Sequence, residues 1–155
     1  MKVFFFGLGY CARRLIRREP WIEASGTARS AETVAALRRE GIEAYQFDGT
    51  DADPGPQQAL EKAEAIVVSI PPREGAGATL DRFGPTVAAA SALRRIVYYS
   101  TIGVYGDHGG AWVDETGATR TRTARGRARL EDEARWAGAV RARGAEADIL
   151  RLAGI

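Results

Sequence analysis

Lys2-Val3-Phe4-Phe5-Phe6-Gly7-Leu8-Gly9-Tyr10-Cys11-Ala12 opens the chain and decides its fold. Residues Lys2 to Phe6 form a short apolar run rich in β-branched and aromatic side chains, which predicts a buried strand stopped at Gly7-Leu8-Gly9. From Cys11 to Glu19 the period turns helical. Cys11, Ala12, Leu15 and Ile16 make an apolar stripe, Arg13, Arg14, Arg17 and Arg18 take the opposite side, and Pro20 ends the segment. Glycines remove side chains where the chain must turn sharply and where a diphosphate must approach the backbone. Tyr10 and Cys11, opening the helix, offer unpaired N–H groups to such an anion. Ala12 fills the third small position of the G-x-G-x-x-G/A pattern, so Gly7, Gly9, Tyr10 and Cys11 are expected to bind a dinucleotide.

Downstream, strand and helix patterns alternate. Residues Ile22 to Ala28 predict a second strand, Ser30 caps a helix whose Val34 and Leu37 face inward and which closes near Gly41, and Ile42 to Phe47 makes a third strand. A turn-rich segment, Asp48 to Pro56, leads to a short helix over Gln57 to Lys62. Ala65 to Ile70 is a fourth strand, stopped by Pro71-Pro72, because two prolines cannot continue a central ladder. After Gly75-Ala76-Gly77, a helix is expected over Leu80 to Ala92, with a break or a start near Pro85. Arg95 to Ser100 is a fifth strand, and Thr101 to Thr119 is a glycine-rich loop of the kind on which fixed scaffolds place chemistry. A last helix puts Leu130, Ala134, Ala137 and Val140 on one face, pairs Glu131 with Arg135, and stops at Gly144; Asp148 to Leu152 is a sixth strand.

Six apolar strands alternating with helices describe an α/β domain with a doubly wound parallel sheet and helices on both faces. With a phosphate loop on the first strand, the Rossmann order 3-2-1-4-5-6 follows, and ligands lie across the carboxyl ends of the strands. Gly7 to Gly9, Arg29-Ser30, Asp48, Ile70 with Pro71 and Pro72, and Thr101 all follow strands, so chemistry is expected along one edge. Arg29 stands where a carboxylate would accept hydrogen bonds from the ribose hydroxyls of NAD. A guanidinium there holds a 2′-phosphate in bidentate fashion and Ser30 donates beside it, which favours NADP, with NAD left as the alternative by Glu32. Asp48 either contacts the adenine edge or caps a turn.

The composition excludes several classes. A chain of 155 residues with 45% hydrophobic residues suits one compact domain, and no apolar run is long enough for a membrane span. Cys11 is the single cysteine, so no internal disulfide forms, and the opening run is too short for an export signal; a cytoplasmic location is expected. The 22 basic and 20 acidic residues leave a formal charge of +2, which does not call for a nucleic-acid partner. Five arginines from Arg120 to Arg129 lack interleaved aromatics and are followed by Glu131, Asp132 and Glu133, the pattern of a solvated helix face. His108 has no neighbouring cysteine or histidine with which to assemble a metal site.

Three stretches make the sequence resemble the amino-terminal part of the extended and atypical short-chain dehydrogenase/reductases, in the NAD(P)-dependent epimerase/dehydratase and nucleoside-diphosphate-sugar epimerase group. They are Phe6-Gly7-Leu8-Gly9, Ser69-Ile70-Pro71-Pro72, and Tyr98-Tyr99-Ser100-Thr101-Ile102-Gly103-Val104-Tyr105-Gly106 followed by Asp114-Glu115-Thr116. The resemblance implies an oxidoreductase acting on a nucleotide sugar or related carbonyl compound. It implies a strand-end hydroxyl at Thr101 that positions the substrate oxygen, together with a tyrosine that exchanges a proton and a lysine four residues later. Aligning that tyrosine-to-lysine run places Arg125 at the tyrosine and Arg129 at the lysine. An arginine does not release a proton near neutrality. Arg129 therefore serves only as a fixed charge toward the nicotinamide side, and Tyr105 is the remaining phenol on the loop, shaping the pocket or acting on substrate. Trp112, on the same loop, covers the ligand or packs on its own domain or a partner.

Extended members continue for about as many residues again to build a substrate lobe. The chain thus reads as residues 1–155 of a cofactor domain lacking that lobe, with a homodimer through the outer face near the sixth strand as the expected association. The other function class is a non-catalytic NADP-binding sensor or scaffold, suggested by the missing proton donor.

Overall fold

The computed structural model describes residues 1–49, 53, 55–72, 77–141 and 144–153. Part of the turn after Asp48, the Gly75-Ala76 pair and the last two residues lie outside the described residues. The elements are β1 (Lys2–Phe6), α1 (Tyr10–Arg18), β2 (Glu23–Ala28), α2 (Ala31–Arg39), β3 (Glu43–Gln46), α3 (Pro56–Glu61), β4 (Ala65–Val68), α4 (Ala78–Ala89), β5 (Arg95–Thr101), a single 3₁₀ turn (Ile102–Val104), α5 (Ala124–Arg141) and β6 (Glu146–Leu152). All strand pairs are parallel, in the order β3-β2-β1-β4-β5-β6. This is the expected doubly wound Rossmann sheet.

The continuous apolar run of β1 has its reason in burial on both faces. Phe4 and Phe6 face one layer, where Phe6 lies 5.3 Å from Phe83 of α4 and 5.8 Å from Trp136 of α5, ring centroid to centroid. Val3 and Phe5 face the other, packing with Leu8, Ala12, Val34 and Leu37 under α1 and α2. The β1 register sets Phe5 opposite Gly26 of β2 and Val67 of β4, so the first strand is central.

Four expectations about elements are corrected. Pro85 neither breaks nor starts α4, which runs from Ala78 through it; Pro85 is exposed, and its ring projects away from the core. β4 ends at Val68, because Ser69 turns its hydroxyl back onto β1 and the prolines follow. The loop after β5 begins with the 3₁₀ turn, capped by Thr101. The face of α5 is the largest departure. Its buried residues are Gly126, Arg129, Asp132, Glu133, Trp136 and Val140, whereas Ala134 is exposed and Leu130 and Ala137 are half-buried. Arg135 pairs with Asp81 of α4, which takes it from the expected Glu131 contact. Polar groups lining β5 hold the charged face inward, and they outweigh the weak alanine stripe.

Candidate functional site

The turn between β1 and α1 is built by its neighbours. Gly7 has φ +103°, a left-handed backbone that a side chain resists, and a Cβ there would strike the Ser69 hydroxyl. Its N–H donates to Thr27 Oγ1 at 3.1 Å, and the Leu8 N–H donates to the Thr27 carbonyl at 2.7 Å. From the other side Ser69 Oγ donates to the Phe6 and Gly7 carbonyls, each at 3.1 Å. The Gly7 peptide is thus clamped between β2 and β4. Leu8 is buried in the core, and Tyr10 is 80% exposed, so neither side chain closes the turn.

Gly9 differs in kind. Its φ of −83° suits any residue, and a Cβ there meets nothing within 4 Å. The protein's own packing does not require glycine at this position. Gly9 is the N-cap of α1, has no side-chain cap, and no acidic residue follows in the first turn, so the positive end of the helix dipole faces the open space uncompensated.

That space continues into a cleft of about 520 Å³ along the carboxyl ends of β1, β2, β3 and β4. Of the residues selected in the sequence, Gly7, Gly9, Arg29, Ser30, Asp48, Ile70, Pro71 and Pro72 line it together. Ser30 caps α2, accepting from the Thr33 N–H at 3.2 Å. Arg29 is exposed at the cleft rim and has no ion-pair partner among the described residues. Thr27, Thr33, Phe47 and Ser69 also line the cleft, beyond the residues to which the sequence points. Two of them carry a signal, a hydroxyl two residues before Arg29 and one two residues before the proline pair.

Tyr10 and Cys11 stand apart from the cleft lining, contributing only the first turn of α1. Cys11 is half-buried beside Tyr99, whose phenol is pushed up chiefly by burial and further by that thiol.

The β5 end holds a separate polar cluster. Arg129 is 8% exposed, and its Nη1 donates to Tyr98 Oη at 3.1 Å and to the Tyr99 carbonyl at 3.0 Å. It is therefore an internal strut and not the free charge expected toward the nicotinamide side. Arg125, at the aligned tyrosine position, is exposed. Tyr105 accepts from Arg151 Nη1 at 3.1 Å, and Arg151 pairs with buried Glu133 at 2.9 Å. Ser100 donates to Glu133. Thr101 Oγ1 accepts from the Gly103 N–H at 3.1 Å, which fixes the 3₁₀ turn. Thr101, Tyr105 and Arg129 are thus engaged within the protein, outside the cleft lining. Trp112 is fully exposed, and His108 bonds the Ala118 carbonyl at 3.0 Å across the loop.

No protein-family model matches the sequence, and no curated protein does. Solved structures do. A conserved protein of unknown function from Silicibacter pomeroyi is 34% identical, with a TM-score of 0.82 over 99% of this chain and 52% of its own. A UDP-glucuronic acid 4-epimerase variant from Bacillus cereus, solved with NAD and a fluorinated UDP-glucuronic acid, is 16% identical, with a TM-score of 0.71 over 97% of this chain and 56% of its own. A short-chain dehydrogenase/reductase superfamily protein from Agrobacterium tumefaciens with bound NAD is 22% identical, with a TM-score of 0.66 over 97% of this chain and 48% of its own. The chain spans about half the length of each.

The fold and its glycine turn define the chain as a Rossmann-fold domain. Its architecture is the one shared by the NAD-dependent epimerases and the short-chain dehydrogenase/reductases, as the sequence resemblance anticipates. No helix among the described residues is long and apolar enough to cross a membrane.

Proposed function

We propose that the chain is the NADP(H)-binding domain of an epimerase/dehydratase-like oxidoreductase, with the diphosphate over Gly7 to Gly9. One observation carries this reading: Gly9 opens onto a cleft lined by residues from four strand ends, where its own fold would accept a side chain. Gly7, Gly9 and the N–H groups of Tyr10 and Cys11 hold the diphosphate. Ile70, Pro71, Pro72 and Asp48 border the nucleoside, and Arg29 with Ser30 takes the 2′-phosphate, which favours NADP, with NAD as the alternative cofactor. Titration of NADPH against NADH, repeated with Arg29→Ala, tests it. Tighter NADPH binding that Arg29→Ala reduces toward the NADH value is expected, and equal affinities unchanged by the substitution overturn the preference.

The nucleotide-sugar or carbonyl substrate, with Thr101 and Tyr105 on its side, belongs to this reading for a longer polypeptide in the cytoplasm, associating as a homodimer through the β6 side. A second reading, a non-catalytic NADP-binding sensor or scaffold, is favoured by the burial of Arg129 and the exposure of Arg125. Neither offers a proton at neutral pH. Reduced-cofactor turnover by the full-length gene product across a panel of carbonyl compounds supports the first reading; tight NADPH binding without turnover supports the second.

A further inference from the structure

A groove of about 530 Å³ opens at the carboxyl ends of β5 and β6 and shares no lining residue with the cofactor cleft. Much of its wall is aliphatic, from Ile102 of the 3₁₀ turn and from Ile149, Leu150 and Leu152 of β6. Ile102 is 49% exposed and Leu150 41%, so two large apolar side chains stand open to solvent in one place. The polar groups on the same wall select what can cover them.

Their charge is unbalanced. Arg151 is the single guanidinium of the groove, and it is already engaged by Glu133 at 2.9 Å and by the Tyr105 oxygen at 3.1 Å. Asp114 and Glu115 also line the groove, and neither has an ion-pair partner among the described residues. The Thr116 hydroxyl and N–H, at 2.7 and 2.9 Å from one Asp114 oxygen, hold that carboxyl below the ordinary aspartate range. The groove therefore carries net negative charge near neutral pH and repels a diphosphate. Tyr105 accepts from Arg151, and its own phenol hydrogen has no acceptor among the described residues. An adjoining recess shares Val113 and Asp114 with the groove and adds the fully exposed Trp112, whose ring face attracts a cation; Arg120 lines the recess and not the groove.

We propose that the groove takes an aliphatic molecule carrying an ammonium group, with its chain on Ile102, Leu150 and Leu152, its charge at Asp114 and Glu115, and its oxygen accepting from Tyr105. This rests on the oxidoreductase reading and, within it, selects an amino-carbonyl compound over a nucleotide sugar as the substrate class.

The test adds hexylamine, 1-hexanol, hexanoate and UDP-glucose separately to the whole chain near neutral pH and follows the backbone amides of Ile102, Asp114 and Leu150 by NMR. Hexylamine, an ammonium ion under these conditions, should bind at these amides about 3- to 10-fold tighter than 1-hexanol, the range of two exposed charge contacts, with hexanoate weaker than the alcohol. Raising the salt to about 1 M should remove most of that difference. The double variant Asp114→Asn with Glu115→Gln keeps an acceptor for Thr116, so the turn is preserved. It should bring the amine within about twofold of the alcohol, whose own binding stays unchanged. Equal binding of the amine, alcohol and carboxylate, tighter binding of hexanoate or UDP-glucose, a preference that survives in the double variant, or no shift at these amides with any probe overturns the assignment. NADPH titrated into the same samples separates the two readings. NADPH binding without the amine preference overturns this proposal alone, whereas absent NADPH binding removes the oxidoreductase reading and the substrate assignment with it.

Discussion

Arg151 of β6 lays its guanidinium over the Tyr105 ring, 5.0 Å from the centroid, and donates to the phenol oxygen at 3.1 Å. The same guanidinium pairs with Glu133, which is nearly sealed from water. Three segments distant in sequence, the loop after β5, α5 and β6, are thereby tied at one point. Glu133→Ala would strand Arg151 partly buried, and the expected loss is roughly 2–3 kcal/mol, below the full range for a buried pair because Arg151 keeps a path to water. Tyr105→Phe removes one hydrogen bond and should cost about 1 kcal/mol. Urea unfolding midpoints at constant slope measure both.

The two glycines of the turn should respond oppositely. Gly7→Ala forces a left-handed backbone onto a side chain and drives it against Ser69, so about 2 kcal/mol of stability or more should be lost. Gly9→Ala meets no protein atom and should cost no more than about 1 kcal/mol, the difference between glycine and alanine at an N-cap. Yet the Gly9 variant should lose NADPH binding, because its methyl group occupies the diphosphate's approach. Thermal melts and titrations on both variants separate the effects, and a Gly9 variant that binds normally would contradict the assigned berth.

Ser69 Oγ engages the Gly7 carbonyl at the cleft wall, just past the end of β4. A carbonyl oxygen released toward the cleft would oppose an anion there. Ser69→Ala should therefore weaken ADP and NADPH several-fold while leaving 2′-AMP, which has no diphosphate, nearly unchanged. Thr27→Val leaves the Gly7 N–H without its acceptor and should lower stability by about 1–3 kcal/mol.

Burial raises the Asp132 carboxyl above the ordinary aspartate range, against the opposing pull of the Tyr98 hydroxyl and of Arg135 and Arg129. A carboxyl whose folded value lies above its unfolded one keeps its proton longer in the folded state. Its stabilising contribution is complete below the unfolded value of about 3.9 and is lost as pH rises through the raised folded value. Asp132→Asn should remove that downward slope, as denaturant unfolding from pH 4 to 7 would measure.

The sheet order and the cleft were legible because both follow from strong local signals. The β1 run can be buried on two faces only in a central parallel strand, and Gly7, Arg29, Asp48 and Pro71 each follow a strand, so topology alone brings them to one edge. The inner face of α5 was not legible. Arg129, Asp132 and Glu133 look like a solvated surface in sequence, and only their partners on β5 and β6, Tyr98, Ser100 and Arg151, make burial tolerable. Those partners lie 18 to 33 positions away. Thr27 and Ser69 escaped for a related reason: a hydroxyl in a strand announces nothing until the peptide it grips is in place. Pro85 misled because an exposed helix position tolerates a missing N–H better than a buried one.

The Arg129 strut also limits where the molecule can yield. With its guanidinium fixed to the backbone of β5 and to Tyr98, α5 cannot slide along the sheet without breaking two bonds inside the core. Accommodation of a guest is left to the rims of α1 and α2, where Tyr10, Arg29 and Ser30 are exposed. The far layer would act as a stationary anvil, and deuterium uptake on ligand addition should slow at those two rims while the amides of α5 keep their original rates.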